Sequence, residues 1–422
     1  MALYSPSVYT EIYNAVYDAS KSRSEFRLPA DTLFLRNMRI LNLGITALDG
    51  NTGRYNLING ATGAIVKNIF LYDGSVVIDK IINFSDFSAF QEYNHSNQAN
   101  SDIYKILHRS GLGFVYDRTP NAADAVAQPI LIKEQFPNAP HKPQVLPENC
   151  PQGFLNLREC MPILKGAGGM PYVHTGLFKN LRVVIEYNVA DSLVGAGVDL
   201  PLSTLQPILV ADCIKDAKVA SDFLSSFKQQ VWVSNEVESV QVPAPDAPTL
   251  ASKLQAIKFR LTGAEDKTVN YVLMQKKGLG SNVGDVSALY KNHASETMIG
   301  ETTQLFVNGS AHLPEQGVIA PNQRLALVHD TWSVCNAIPS SNSLPMYGAA
   351  TVVANAADRC GRLDYFSCVV NKKISSLDLT YSRELPTDVP NRYKQPLNLN
   401  IFYGVLKSIV KDNKGSYQVV YL

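Results

Sequence analysis

The chain has 422 residues, 45% of them hydrophobic, enough for two or three domains with cores of their own. Only 18% are charged, below the ~25% of ordinary soluble domains; 38 basic residues against 37 acidic leave a net charge of +1. That balance, with no run of like charge, excludes a protein whose main task is to neutralise nucleic-acid phosphate.

In chain order, residues 1–24 read as an arm with no apolar signal-peptide core. Its Val8, Ile12 and Val16 recur every four residues, the spacing of a short helix. Strands begin after Phe26, with Leu33, Leu35 and the stretch from Met38 to Leu43. Asp73-Gly74 between two β-rich runs predicts a hairpin. Ser85 is placed to cap a helix that carries Phe87, Phe90 and Tyr93 on one face, and a second short helix is expected over 102–108. Residues 111–153 carry Pro120, Pro129, Pro137, Pro140, Pro143 and Pro147, and so predict a long excursion outside any sheet. Strands resume at Leu181 and Pro207. Val219, Phe223 and Phe227 mark residues 216–230 as a helical linker between domains. A second set of strands then runs through 231–242, 254–261, 269–274, 303–308, 364–370, 377–381, 397–405 and 417–422, with helical spacing at 286–293 and 324–332. Leu397, Leu399, Ile401, Tyr403 and Val405 alternate with Asn398 and Asn400, which predicts one buried and one polar face.

The two halves echo each other. LRVVIEYN from Leu181 is followed by Gln206-Pro207 and ILVADC; LDLTYS from Leu377 is followed by Gln395-Pro396 and LNLNIFYGV. Each is a strand ending near tyrosine, a short polar excursion, then Gln-Pro and another strand. Two copies of one β-fold in tandem account for this, divided as an arm (1–24), a first unit (25–215), a linker (216–230) and a second unit (231–422).

No catalytic, cofactor-binding or metal-ligating residues emerge. The six cysteines include no C-x-x-C pair, and they read as reduced core thiols. The seven histidines show no ligand spacing, and His329-Asp330 are sequence neighbours that do not face each other in a regular element. Gly278, Gly280 and Gly284 are spaced one residue too far for a dinucleotide loop, and Gly166, Gly168 and Gly169 lack the lysine of a P-loop. There is no G-x-S-x-G elbow. Glu236 and Glu238, alternating with Val237, read as a solvated strand face. No cofactor is expected.

Three segments carry a family resemblance: IFLYDGSVVIDKIINFSDFSAFQEY from Ile69, the FVNG and PNQRLALVHDTWSVCN stretches between Leu305 and Asn336, and the strands from Leu363 to Leu422. The chain resembles the double jelly-roll major capsid proteins of icosahedral DNA viruses, of the polinton-like virus and virophage type. The resemblance implies an all-β chain of two tandem eight-stranded jelly rolls and a structural, non-enzymatic role in the virion. It implies homotrimeric, pseudo-hexameric capsomers that contact neighbouring capsomers, penton and minor capsid proteins, with no sequence-specific nucleic acid. The nearly neutral, tyrosine-rich arm is expected to dock on protein at the inner face. The alternatives are a lectin-like carbohydrate-binding β-sandwich and a minor or penton capsid protein. Host, triangulation number and any internal membrane are not legible.

Overall fold

Alternation of apolar and polar residues makes strands that can bury one face, and such strands build most of the described chain. The computed structural model describes residues 7–18, 22–41, 43, 48–49, 54–55, 66–84, 154–157, 161–165, 173–188, 206–243, 253–278, 302–312, 366–385, 397–412 and 416–422. The expected helices at 85–93, 102–108, 286–293 and 324–332, the proline-rich segment 111–153 and the glycine loop after Gly278 lie outside the described residues.

The first half contains β1 (Tyr9–Asn14), β2 (Val16–Asp18), β3 (Arg23–Arg27), β4 (Leu33–Leu41), β5 (Leu48–Asp49), β6 (Arg54–Tyr55), β7 (Val66–Asp73), β8 (Val76–Ile81), β9 (Phe154–Asn156), β10 (Val173–His174), β11 (Leu181–Tyr187) and β12 (Ile208–Ile214). Two sheets form, ordered β1-β12-β4-β10 with β9 also on β4, and β2-β3-β11-β7-β8; β5 and β6 pair separately. The helix α1 (Ala217–Ser226) follows.

The second half contains β13 (Gln229–Val242), β14 (Lys253–Arg260), β15 (Thr268–Gly278), β16 (Thr302–Val307), β17 (Ser310–Ala311), β18 (Phe366–Lys373), β19 (Leu377–Leu385), β20 (Leu397–Lys411) and β21 (Tyr417–Tyr421). Its sheets are ordered β13-β20-β15-β18, with β21 on β20, and β14-β19-β16-β17. All the strand pairs described are antiparallel.

Eight strands of the second half repeat eight of the first in the same order. β13-β20-β15-β18 matches β1-β12-β4-β10, and β14-β19-β16-β17 matches β3-β11-β7-β8. The sequence echo falls on equivalent strands, β11 then β12 and β19 then β20. The echoed tyrosines, Tyr187 and Tyr381, are both buried. Tyr187 donates its hydroxyl hydrogen bond to Ser24 Oγ at 2.8 Å.

The hairpin forms as expected. Gly74 adopts φ +61, and Asp73 Oδ1 accepts from the Lys179 and Asn180 amides, which pins the turn to the chain entering β11. The helix expected in the arm does not form. Residues 9–14 are instead an edge strand paired along β12, with Tyr13 facing the core edge-on to Phe34. Thr10 Oγ1 donates to Asp212 and Lys215 Nζ to Glu11, which fixes the register. Residues 16–18 and 23–27 are strands of the second sheet, so much of the segment read as an arm belongs to the first sandwich. The four-residue spacing of Val8, Ile12 and Val16 arises because these residues are exposed, not because they share a helix face.

Candidate assembly interface

The two sandwiches are joined by α1 and by a seam along β13. Asp216 caps α1, its Oδ1 accepting from the Lys218 and Val219 amides. From the helix, Phe223 stacks on the buried His174 ring of the first sandwich at 5.8 Å, and Phe227 meets Tyr417 of the second edge-on at 5.5 Å. Tyr417 also donates to the Leu224 carbonyl. His174 Nδ1 accepts from the Gly176 amide, and burial lowers the basicity of its ring. The helix therefore grips both sandwiches.

At the seam β13 runs beside β8 and the one-turn helix Pro162–Lys165. Gln230 Nε2 donates to the Ile163 carbonyl at 2.6 Å. Further along, a charged group is enclosed. Asp79 of β8 is 1% exposed; its Oδ1 accepts from Ser234 Oγ of β13 at 2.5 Å and from the Lys80 amide at 3.0 Å, while its Oδ2 has no hydrogen-bond partner among the described residues. Glu236 of β13 pairs with Lys80 at 2.9 Å and with Lys407 of β20 at 3.6 Å. Burial pushes the Asp79 carboxyl up to about 6, with Lys407, the Ser234 hydroxyl and the Lys80 amide opposing the rise and Glu236 adding to it.

These positions correct the reading of Glu236 and Glu238 as a solvated face. Glu236 is buried in the seam. Glu238 is half-buried and accepts from the Tyr403 hydroxyl and the Gly263 amide, both at 3.0 Å. A polar residue on an alternating strand meets water only if no second layer covers it, and here one does.

The same cover acts on apolar residues. Val272, Met274, Leu399, Ile401 and Tyr403 fill the second core, as expected for Leu399. Tyr271, Leu273 and Phe402, on the opposite face of the same sheet, join the core cluster of the first sandwich. Asn400 on that face is also buried and accepts from Ser239 Oγ at 2.8 Å, so the face expected to be polar is enclosed. Tyr271 donates to Asn235 and lays its ring across Gly404, where any Cβ would collide with it.

Among the described residues, the equivalent face of the first sandwich is not covered in this way. On β12, Leu209, Ala211 and Cys213 point inward, and Ile208, Val210 and Asp212 lie half-buried on the other side. Val210 sits between Ile12 and Arg39, and Ile208 between Asn14 and Leu41. Ile12 is 61% exposed, and Val8 and Val16 nearby are also exposed. Among the described residues β1 pairs only with β12, so its outer edge is open.

No protein-family model matches the sequence, and no curated protein matches it. Solved structures do. The Sputnik virophage structure determined by cryo-EM aligns over 100% of this chain and 90% of its own, with TM-score 0.55 at 9% identity. PBCV-1 VP54 fitted into a reconstruction of the virophage Sputnik aligns over 100% and 98%, with TM-score 0.51 at 9% identity. The Faustovirus major capsid protein aligns over 97% and 92%, with TM-score 0.52 at 6% identity. The fold is a double jelly roll. In this double jelly roll the strand orders β13-β20-β15-β18 and β14-β19-β16-β17 are the two sheets of one roll, and their counterparts in the first half are those of the other.

Among the described residues, no group of three or more His, Cys, Asp or Glu side chains is placed to hold a metal. No helix among them is long and apolar enough to cross a membrane.

Proposed function

We propose that the chain is a major capsid protein, a structural and non-catalytic component of an icosahedral virion. Three copies form a ring of six jelly rolls, and these capsomers meet one another and the penton and minor proteins of the shell, assembling within the host cell. The boundary between rolls lies at 216–230, and the first roll extends back to β1.

One observation carries this reading. Inside the chain, β8 of the first roll meets the edge of β13, and the middle of the outer face of the β13-β20-β15-β18 sheet, with Tyr271, Leu273 and Phe402, is buried. The matching strand β1 and the matching face, with Ile12, Val210, Ile208 and Leu41, have no such cover among the described residues. β17 holds the place in the second roll that β8 holds in the first. A second copy presenting β17 to β1 repeats the internal contact, and such a head-to-tail contact closes into a ring. A charge content of 18% suits a surface largely covered in the assembly. The three solved structures are named for viruses or a major capsid protein, in keeping with this role.

The test is solution mass of the full chain beside the variant Ile12→Glu. A compact trimer for the parent and a folded monomer for the variant support the proposal. A parent that remains a monomer at high concentration and binds sugar overturns it in favour of a lectin.

A further inference from the structure

We propose that the seam cluster around Asp79 is a proton-operated latch between the two jelly rolls: taking up one proton tightens their docking, and releasing it loosens the seam. The geometry places the group where it can act this way. Asp79 is buried on β8, at the line where the first roll meets β13. One carboxylate oxygen is held by a hydroxyl from the opposite roll, and the other is enclosed without a hydrogen-bond partner among the described residues. A buried carboxylate oxygen with no donor is costly when charged and far less so when protonated.

The charged groups that face it among the described residues are Lys80 beside it on β8, Glu236 on β13 and Lys407 on β20. Glu236 is already shared between the two lysines. Lys407 also lies over the Tyr421 ring at 5.0 Å, so it does not serve Asp79 alone. With all four groups ionised the cluster is neutral; with Asp79 protonated it carries one positive charge, centred on the two lysines that remain paired to Glu236.

The sign follows from where the proton binds more tightly. Asp79 rises from its ordinary 3.8 to about 6 in the docked state. The docked chain therefore holds the proton more firmly than the separated one, and docking gains stability as pH falls from about 6 towards about 4. This is opposite to the usual effect of a salt-bridged carboxylate. A difference of about two pKa units corresponds to roughly a hundredfold change in the docking equilibrium.

The latch does not depend on any role in a shell, because it is built into one chain. The test compares thermal midpoints of the full chain and Asp79→Asn, between about pH 4 and about pH 8. The variant is expected to melt higher than the parent at the alkaline end, with the gap closing on acidification. Other carboxylates titrate alike in both proteins and cancel. Hydrogen exchange at β8 and β13 amides should show the same pH-dependent difference, which locates it at the seam. Ser234→Ala removes a donor to the ionised form and should move the midpoint of the parent's pH profile upward. A gap that does not vary with pH overturns the latch. If Asp79→Asn does not fold, an unmoved profile in Ser234→Ala overturns it equally.

Discussion

In the second roll β13 and β20 pair over 14 positions, from Gln229 with Val410 to Val242 with Leu397, whereas their counterparts β1 and β12 pair over six. The long ladder is enclosed on both faces at its middle, with Phe402 and Asn400 buried on one side and Leu399 and Ile401 on the other. The short ladder has one enclosed face and one that shows Ile12 and half-buried Val210. Equal strand order thus coexists with unequal surroundings. The covered face combines large apolar side chains, Tyr271, Leu273 and Phe402, with hydrogen-bonded polar ones such as Asn400, while the face of the first roll shows isolated apolar points among polar residues.

Breaking each core at its matching strand tests how far the rolls stand alone. Leu399→Asp and Leu209→Asp each place an unpaired carboxylate at a site that is 0% exposed, and each should cost about 4 kcal/mol. If the rolls are held as one body, urea unfolding of each variant gives a single shifted transition; two separated transitions would show independent rolls.

Phe402→Ala is the next largest. It leaves the second core intact but empties part of the covered face, at about 3 kcal/mol by thermal or urea unfolding. A loss below about 1 kcal/mol would mean that the contact between rolls is loose. Tyr187→Phe, which removes the bond to Ser24 inside the first roll, should cost about 1 kcal/mol. Smallest for the single chain is Ile12→Glu. On an exposed edge it should alter stability by no more than about 0.5 kcal/mol while abolishing association. A large loss of monomer stability in that variant would show that the open face is already covered.

The paired strands β11, β12, β19 and β20 were legible because their alternation has period two and a Gln-Pro pair precedes the second strand of each. The hairpin at Asp73-Gly74 was legible for a local reason, the left-handed turn that glycine permits. β1 was not, because a strand with apolar residues on its exposed side breaks the inside-outside rule and imitates a helix. The seam was invisible for a related reason. Ser234, Glu236 and Asn400 look like residues facing water, and only tertiary contact with β8 and its neighbours encloses them. Asp79, between Ile78 and Lys80, gives no sign in sequence of being buried.

Helix α1 has a mechanical consequence. Phe223 is anchored on His174 of one roll, and Phe227 and the Leu224 carbonyl on Tyr417 of the other, so the chain segment that links the rolls is itself clamped at both ends. Such a clamp resists bending where the rolls meet. If the chain tiles a shell, as proposed, curvature comes from the joints between copies, and small adjustments at the β1 edge would then decide how large a closed shell can be.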